Sequence, residues 1–218
     1  MKISRLETLY RQKLVSPNES GKTLPLEQIL KKPLTFYPSE PATPQYDVLE
    51  IGPGRGDFLF SYCEQNPAQS VVAVEIGKLR YDKLIENSQK KSIKNLTLIY
   101  GDARIPVEKH FADLGFSKVF ILFPDPWPRN KHRHKRLLQV DFLKKLALKI
   151  KSDGEFLLVT DVMDYAHWAF ENLKTLPEYK TTQTTPIAGL PADVIPTFFA
   201  EKWQKMGRSF WHVRFTKN

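Results

Sequence analysis

The residues best suited to chemistry stand together in Phe123-Pro124-Asp125-Pro126-Trp127-Pro128, which runs directly into Arg129-Asn130-Lys131-His132-Arg133-His134-Lys135-Arg136. Three prolines fix φ around one carboxylate and one aromatic ring, so Asp125 is held with little backbone freedom at the end of an apolar run, Lys118 to Phe123. The eight residues that follow carry five Lys/Arg and two His. That cationic density suits a track of backbone phosphates, and Lys131, Arg133, Lys135 and Arg136 are its candidate contacts. A fixed carboxylate beside such a track reads as a catalytic pocket placed against a nucleic acid. His132 and His134 have no acidic or cysteine partners converging with them in sequence, so no metal site is expected.

A second constellation is built from glycines and acids. Asp47-Val48-Leu49-Glu50-Ile51-Gly52-Pro53-Gly54-Arg55-Gly56-Asp57 has the form of a strand entering a glycine-rich turn. Gly52, Gly54 and Gly56 let the backbone approach a nucleotide-like ligand closely. The third glycine comes one position too early for a dinucleotide fingerprint, and Asp57 stands where that fingerprint wants a small residue, which disfavours a pyrophosphate. Acidic residues then mark three successive strand ends: Glu50, Glu75 after Val71-Val72-Ala73-Val74, and Asp102 with Ala103 after Leu96 to Tyr100 and Gly101. Carboxylates around a pocket favour a donor-rich, positively charged guest. Ribose hydroxyls, an adenine amine and an amino-acid ammonium fit, and S-adenosylmethionine carries all of them.

The elements that position these groups follow from periodicity. Candidate strands are Tyr46 to Ile51, Val71 to Glu75, Leu96 to Tyr100, Lys118 to Phe123, Glu155 to Thr160, Tyr179 to Thr184 and Ser209 to Thr216. Amphipathic helical patterns fall between them, including Lys78 to Gln89 and Arg136 to Lys151, the latter closed by Ser152-Asp153-Gly154. Alternating strands and helices predict an α/β, Rossmann-like fold: a seven-stranded, mostly parallel sheet with helices on both faces and an antiparallel C-terminal hairpin. Residues 1–45 differ. Pro17, Pro25, Pro33, Pro38, Pro41 and Pro44 leave room for little beyond a short helix near Leu6 to Leu14, so a proline-rich arm is expected to precede one domain over residues 46–218. The formal net charge of +9 over 218 residues favours a polyanionic partner. The longest apolar runs are too short to span a bilayer and Met1-Lys2-Ile3-Ser4-Arg5 opens no signal peptide, so the expectation is a cytoplasmic protein without a membrane partner. Cys63, the only cysteine, excludes an intrachain disulfide and reads as a filler residue.

With these residues in view, the chain resembles the bacterial tRNA (guanine-N7)-methyltransferases, a family of class I S-adenosylmethionine-dependent enzymes. The resemblance runs from about Asp47 to the C-terminus. Its most specific element is Pro124 to Pro128 with the basic run and Leu137-Leu138-Gln139; Leu49 to Gly56, Gly101-Asp102-Ala103, Val159-Thr160-Asp161 and Thr197-Phe198-Phe199-Ala200-Glu201-Lys202-Trp203 add to it. It implies that Glu50, Glu75, Asp102 and Asp125 line the cofactor site, that Asp125 is also catalytic, and that Arg129, Asp161 and Thr197 touch the substrate. It also implies methylation in the tRNA variable loop; monomer and homodimer both stay open. Two positions depart from the family pattern. Arg129 replaces the usual lysine, exchanging a point donor for a planar fork, and Ala200 replaces a glutamate. Glu201 is the candidate substitute in substrate binding, although on an extended strand it would face the other way.

Guanine N7 has an exposed lone pair, so its methylation needs no general base. It needs an in-line approach to the methyl donor and a negative charge near the purine as positive charge develops there. Asp125 suits both, accepting from guanine N1–H and N2–H₂ while favouring the cationic product. Two alternatives differ in class: a base-amino or small-molecule methyltransferase, whose comparable loop lacks the third proline and the basic run, and a non-catalytic RNA-binding protein, which leaves the glycine turn and strand-end acids without a role.

Overall fold

The computed structural model describes residues 45–218; the arm expected before the domain, with its short helix near Leu6 to Leu14, lies outside the described residues up to position 44. The first strand, β1 (Val48–Ile51), is buried along its whole length. Its alternating side chains divide between two cores: Leu49 and Ile51 join Val72, Val74, Ile121 and Leu158, whereas Val48 joins Ala73, Phe120 and Leu157. A strand apolar on both faces has to be central and covered twice by helices.

The remaining elements are α1 (Asp57–Gln65), β2 (Val71–Glu75), α2 (Lys78–Lys90), β3 (Leu96–Tyr100), α3 (Arg104–Lys109), β4 (Phe116–Leu122), a 3-10 helix (Asn130–Lys135), α4 (Val140–Lys149), β5 (Ile150–Thr160), α5 (Met163–Lys174), β6 (Tyr179–Lys180), β7 (Ile187–Ala188), α6 (Phe198–Lys205) and β8 (Trp211–Lys217). Helices α1 and α2 cover the face with Val48 through Phe58, Leu59, Tyr81 and Leu84. Helices α3, α4 and α5 cover the other through Val107, Leu143, Leu146, Ala169 and Phe170. The sheet order is β3-β2-β1-β4-β5-β8-β6, with β7 pairing β8. β1 runs parallel to both β2 and β4, and β8 runs antiparallel to β5. The strand order therefore reverses between β1 and β4, and a crevice opens beyond their carboxyl ends, where ligands of open α/β sheets bind.

The doubly covered, mostly parallel sheet with an antiparallel C-terminal edge is the expected architecture, with differences of detail. Among the described residues the sheet has eight strands rather than seven, because Ile187–Ala188 adds a short strand on β8; β6 is cut to two residues. The predicted helix from Arg136 to Lys151 shrinks to Val140–Lys149, the basic run before it coiling as a 3-10 helix. Ser152-Asp153-Gly154 does not stop that helix. It lies within β5, where the register with β4 shifts and Asp153 takes φ 60°, an irregularity inside an otherwise continuous strand.

Candidate active site

Two loops leave the sheet at the reversal point. After β1, the glycine turn takes φ 76° at Gly52, 60° at Gly54 and 84° at Gly56, values that L side chains rarely adopt. A Cβ on Gly56 would lie 2.5 Å from a Phe60 ring atom and 2.6 Å from Leu84, so this glycine also permits α1 and α2 to pack. After β4, the proline-bounded loop opens with Phe123 at φ 53° and passes Trp127 at φ 41°. Non-glycine residues in this region cost on the order of 1–3 kcal/mol each and persist only where the surroundings over-determine them. Here they do: Phe123 N–H donates to the Val159 carbonyl at 2.7 Å, its ring meets Phe210 edge-on at 5.4 Å, and the Lys135 ammonium sits 4.8 Å from the Trp127 ring centroid.

Between the loops lies a cavity of about 450 Å³. Gly52, Glu75, Asp102, Ala103 and Asp125 line it together with Ile51, Val74, Ile76, Trp127 and Leu137. Its size falls in the range of small-molecule sites, and its walls combine apolar surface with a few convergent polar groups. The Glu75 side chain is 1% exposed, with one oxygen accepting from Gly77 N–H at 2.6 Å and the other from Gly54 N–H at 3.2 Å. Its carboxylate thus ties the glycine turn to the start of α2, and each oxygen keeps further lone-pair capacity for a ligand. Asp102 is gripped in a fork by Arg104, Nε to Oδ1 at 3.0 Å and Nη2 to Oδ2 at 2.7 Å. Asp125 is exposed at the mouth.

Glu50 does not line the cavity. It lies beneath it, 3% exposed, with Oε2 buried and unpartnered. Burial first, and the neighbouring charge of Glu75 second, push its carboxyl up to about 8. Gly54 borders a separate groove of about 1050 Å³ between α1, α2 and the start of α6, a groove that Glu201 also lines. Glu201 stands on helix α6, not on a strand; Thr197 caps that helix, its Oγ1 accepting from Ala200 N–H at 3.0 Å. The inversion of facing expected for adjacent positions therefore does not hold. Asp161 is paired with Arg208 at 2.7 Å, and Arg208 stacks 3.6 Å from the Trp203 ring centroid.

The cationic run is divided in a way the sequence does not reveal. Arg129, Lys131 and Lys135 are exposed. Arg133 is bound to Asp164 at 2.7 Å. Arg136, expected on the phosphate track, is instead fully buried and turned inward: its Nη2 meets Asp164 at 2.6 Å and its Nε donates to the Pro126 carbonyl at 2.8 Å. Two cavity groups escaped the sequence reading. Arg80, with Nη1 3.8 Å from Glu75, lies in the first turn of α2, and Arg104 follows Asp102 by two residues. The only available signal was a basic residue close behind each strand-end acid. Cys63 is buried, and burial pushes its thiol up to about 12, as suits an unreactive core residue. Among the described residues no group of three or more His, Cys, Asp or Glu converges to hold a metal ion, and no helix is long and apolar enough to cross a membrane.

This arrangement has counterparts among known proteins. A family model described as "Putative methyltransferase" matches residues 44–213. A tRNA (guanine-N(7)-)-methyltransferase of Caulobacter vibrioides is 32% identical over 155 residues, covering 71% of this chain and 68% of that one. One from Nitrosomonas eutropha is 30% identical, covering 78% of this chain and 75% of the relative. The relative in Thermus thermophilus, 29% identical, is longer, and the match spans 53% of its length. The fold is shared with the 16S rRNA methyltransferase KamB, at a TM-score of 0.56 and 18% identity over 79% of this chain and 89% of that one. A SAM-dependent methyltransferase from Aquifex aeolicus shares it at a TM-score of 0.52 and 14% identity over 87% and 88% of the two chains. By the extent of the family match and by relatives at 30% identity or above over most of their length, the chain belongs to the tRNA (guanine-N7)-methyltransferase family.

Proposed function

We propose that this protein methylates N7 of a guanine in tRNA, in the variable loop, with S-adenosylmethionine as the methyl donor. The observation that carries the reading is the meeting, in one cavity of about 450 Å³, of Asp125 with the glycine turn and the carboxylates of Glu75 and Asp102. The residues present fit that cofactor. Glu75 offers lone pairs to ribose hydroxyls, Asp102 offers acceptors to an adenine amine, and Glu50 keeps a buried, unpartnered carboxyl oxygen beneath the turn. When bound, S-adenosylmethionine supplies an electrophilic methyl group.

The protein's part is then positioning and electrostatics. Asp125, at the mouth of the cavity, places a negative charge where positive charge develops on the purine. The apolar wall of Ile51, Val74 and Leu137 excludes water from the reacting centre. Lys131 and Lys135, exposed beside the mouth, attract the RNA backbone, with Arg129 as a further substrate contact. Thr197, Asp161 and Glu201 are assigned to the substrate side, Asp161 through the lone pairs that its Oδ2 contact with Arg208 leaves over. The test is incubation of unmodified tRNA with labelled cofactor followed by nucleoside identification. Label in 7-methylguanosine supports the reading; label in an N-methylated exocyclic amine places the protein among base-amino methyltransferases instead; no label transfer refutes both.

A further inference from the structure

The basic run is read most simply as a surface that meets RNA, yet its last residue is the largest fully buried side chain among the described residues. The Arg136 guanidinium is buried, with Nη1 left without a hydrogen-bond partner and the rest of the group held by specific contacts. Nε donates to the Pro126 carbonyl at 2.8 Å, Nη2 donates to Asp164 Oδ2 at 2.6 Å, and Cζ lies 5.1 Å and 5.0 Å from the ring centroids of Tyr165 and Trp168 on α5. A buried cation is retained against a large desolvation cost only where it makes specific compensating contacts. Here one of them is to the backbone of the loop that carries Asp125.

That loop has few other ways to fix itself. Pro124, Pro126 and Pro128 have no N–H, so the segment can form almost no backbone ladder of its own. Its Trp127 nevertheless holds φ 41°, a conformation that has to be imposed from outside. The Pro126 carbonyl belongs to the peptide group joining Pro126 to Trp127, immediately after the catalytic position. We propose that Arg136 is a positioning residue that acts through this carbonyl, clamping the Asp125 loop to α5 so that the carboxylate keeps its place at the cavity mouth. The planar fork is essential to the arrangement. One guanidinium reaches the carbonyl and Asp164 at once while its face packs on two rings, which a lysine ammonium cannot do. Gln139 supports the clamp from behind, its amide donating to the Arg133 carbonyl at 2.8 Å and the Arg136 carbonyl at 3.2 Å.

The catalytic consequence rests on the methyltransferase reading, whereas the clamp itself does not. Arg136→Lys is the test, read in four ways. The Trp127 indole N–H resonance of the free protein should shift or broaden, reporting a loosened loop without any reaction. Turnover should fall on the order of 10- to 100-fold, as for an ångström-scale misplacement of a reacting group. The slope of log K against log salt for tRNA should stay as in the unaltered protein. In an Asp125→Asn background the same change should lower turnover no further, since a residue acting through Asp125 has nothing left to position. If Arg136→Lys does not fold, Asp164→Asn, at a half-exposed carboxylate, is read in the same assays, with the same Trp127 shift and a smaller loss of turnover expected. Unchanged Trp127 and turnover in a folded variant overturn the proposal. So does full additivity with Asp125→Asn, or a slope shallower by about 0.7–0.9 in Arg136→Gln, which removes the charge and would make Arg136 a phosphate contact. A Trp127 shift in a protein that forms no 7-methylguanosine would sustain the clamp and remove the reaction assigned to it.

Discussion

Replacing Glu75 with glutamine should weaken cofactor binding and lower the stability of the fold together. The carboxylate is 1% exposed and its two oxygens accept from Gly77 N–H at 2.6 Å and Gly54 N–H at 3.2 Å. A glutamine side chain has one acceptor oxygen and one NH₂ donor group. The shorter bond to Gly77 is the better one to keep, so the NH₂ is left facing Gly54 N–H, donor against donor. An unsatisfied buried amide costs about 1–3 kcal/mol, and this should appear as a lower midpoint of thermal unfolding. For the ligand the loss is a charge-assisted hydrogen bond, worth about 1.5–3 kcal/mol. At about 1.4 kcal/mol per decade this is roughly a 10- to 150-fold rise in Kd for S-adenosylmethionine. Glu75→Ala should weaken binding in the same range without the donor clash. Isothermal titration calorimetry on the folded variants measures the effect directly. A Kd within twofold of the unaltered protein in both would remove Glu75 from the cofactor site, and a binding loss in glutamine alone would trace to the donor clash at Gly54 and not to a lost ligand contact.

Asp125→Asn keeps the shape of the side chain but removes its charge, so turnover should drop about 10²- to 10³-fold while tRNA binding by filter assay survives; near-normal turnover would refute the electrostatic role. Glu50 titrates in the fold at about 8 rather than 4.5, so it contributes stability that is complete below its unfolded value and is lost as pH rises through about 8. Glu50→Gln should therefore abolish a fall in unfolding free energy of up to about 1.4 kcal/mol per pH unit between pH 5 and 8, and identical slopes in denaturant titrations of both proteins would contradict the assignment. Replacing Lys131, Arg133 and Lys135 together with serine should flatten the salt dependence of tRNA binding by about 0.7–0.9 per phosphate contact removed, with Arg133 contributing least because Asp164 already holds it. An unchanged slope would place the RNA on another face of the protein.

Much of this protein was legible along the chain, for reasons of local physics. Val71 to Glu75 occurs as a strand where its apolar run placed it, because a strand buried on both faces needs an unbroken run, and Leu96 to Tyr100 occurs where expected as the partly buried strand at the sheet edge. Gly52, Gly54 and Gly56 announced a turn that only glycine adopts cheaply. The site acids were found because each closes a strand, and the parallel sheet brings successive strand ends to one edge. What the sequence could not state was adjacency and burial. That Asp125 meets the glycine turn follows from β4 pairing with β1 across the point where the sheet order reverses, a fact of topology and not of spacing. Composition makes Arg129 to Arg136 one uniform basic face. Only tertiary packing separates Lys131 and Lys135, which stay in solvent, from Arg133, tied to Asp164, and from Arg136, which α5 takes into the core. Likewise Glu201 reads equally well on a strand or a helix over so short a segment; the Thr197 cap and the packing of buried Ala200 decide for the helix. Sequence fixes the periods and the turn chemistry because these act over a few bonds, whereas which like-charged neighbour is buried depends on partners more than twenty residues away.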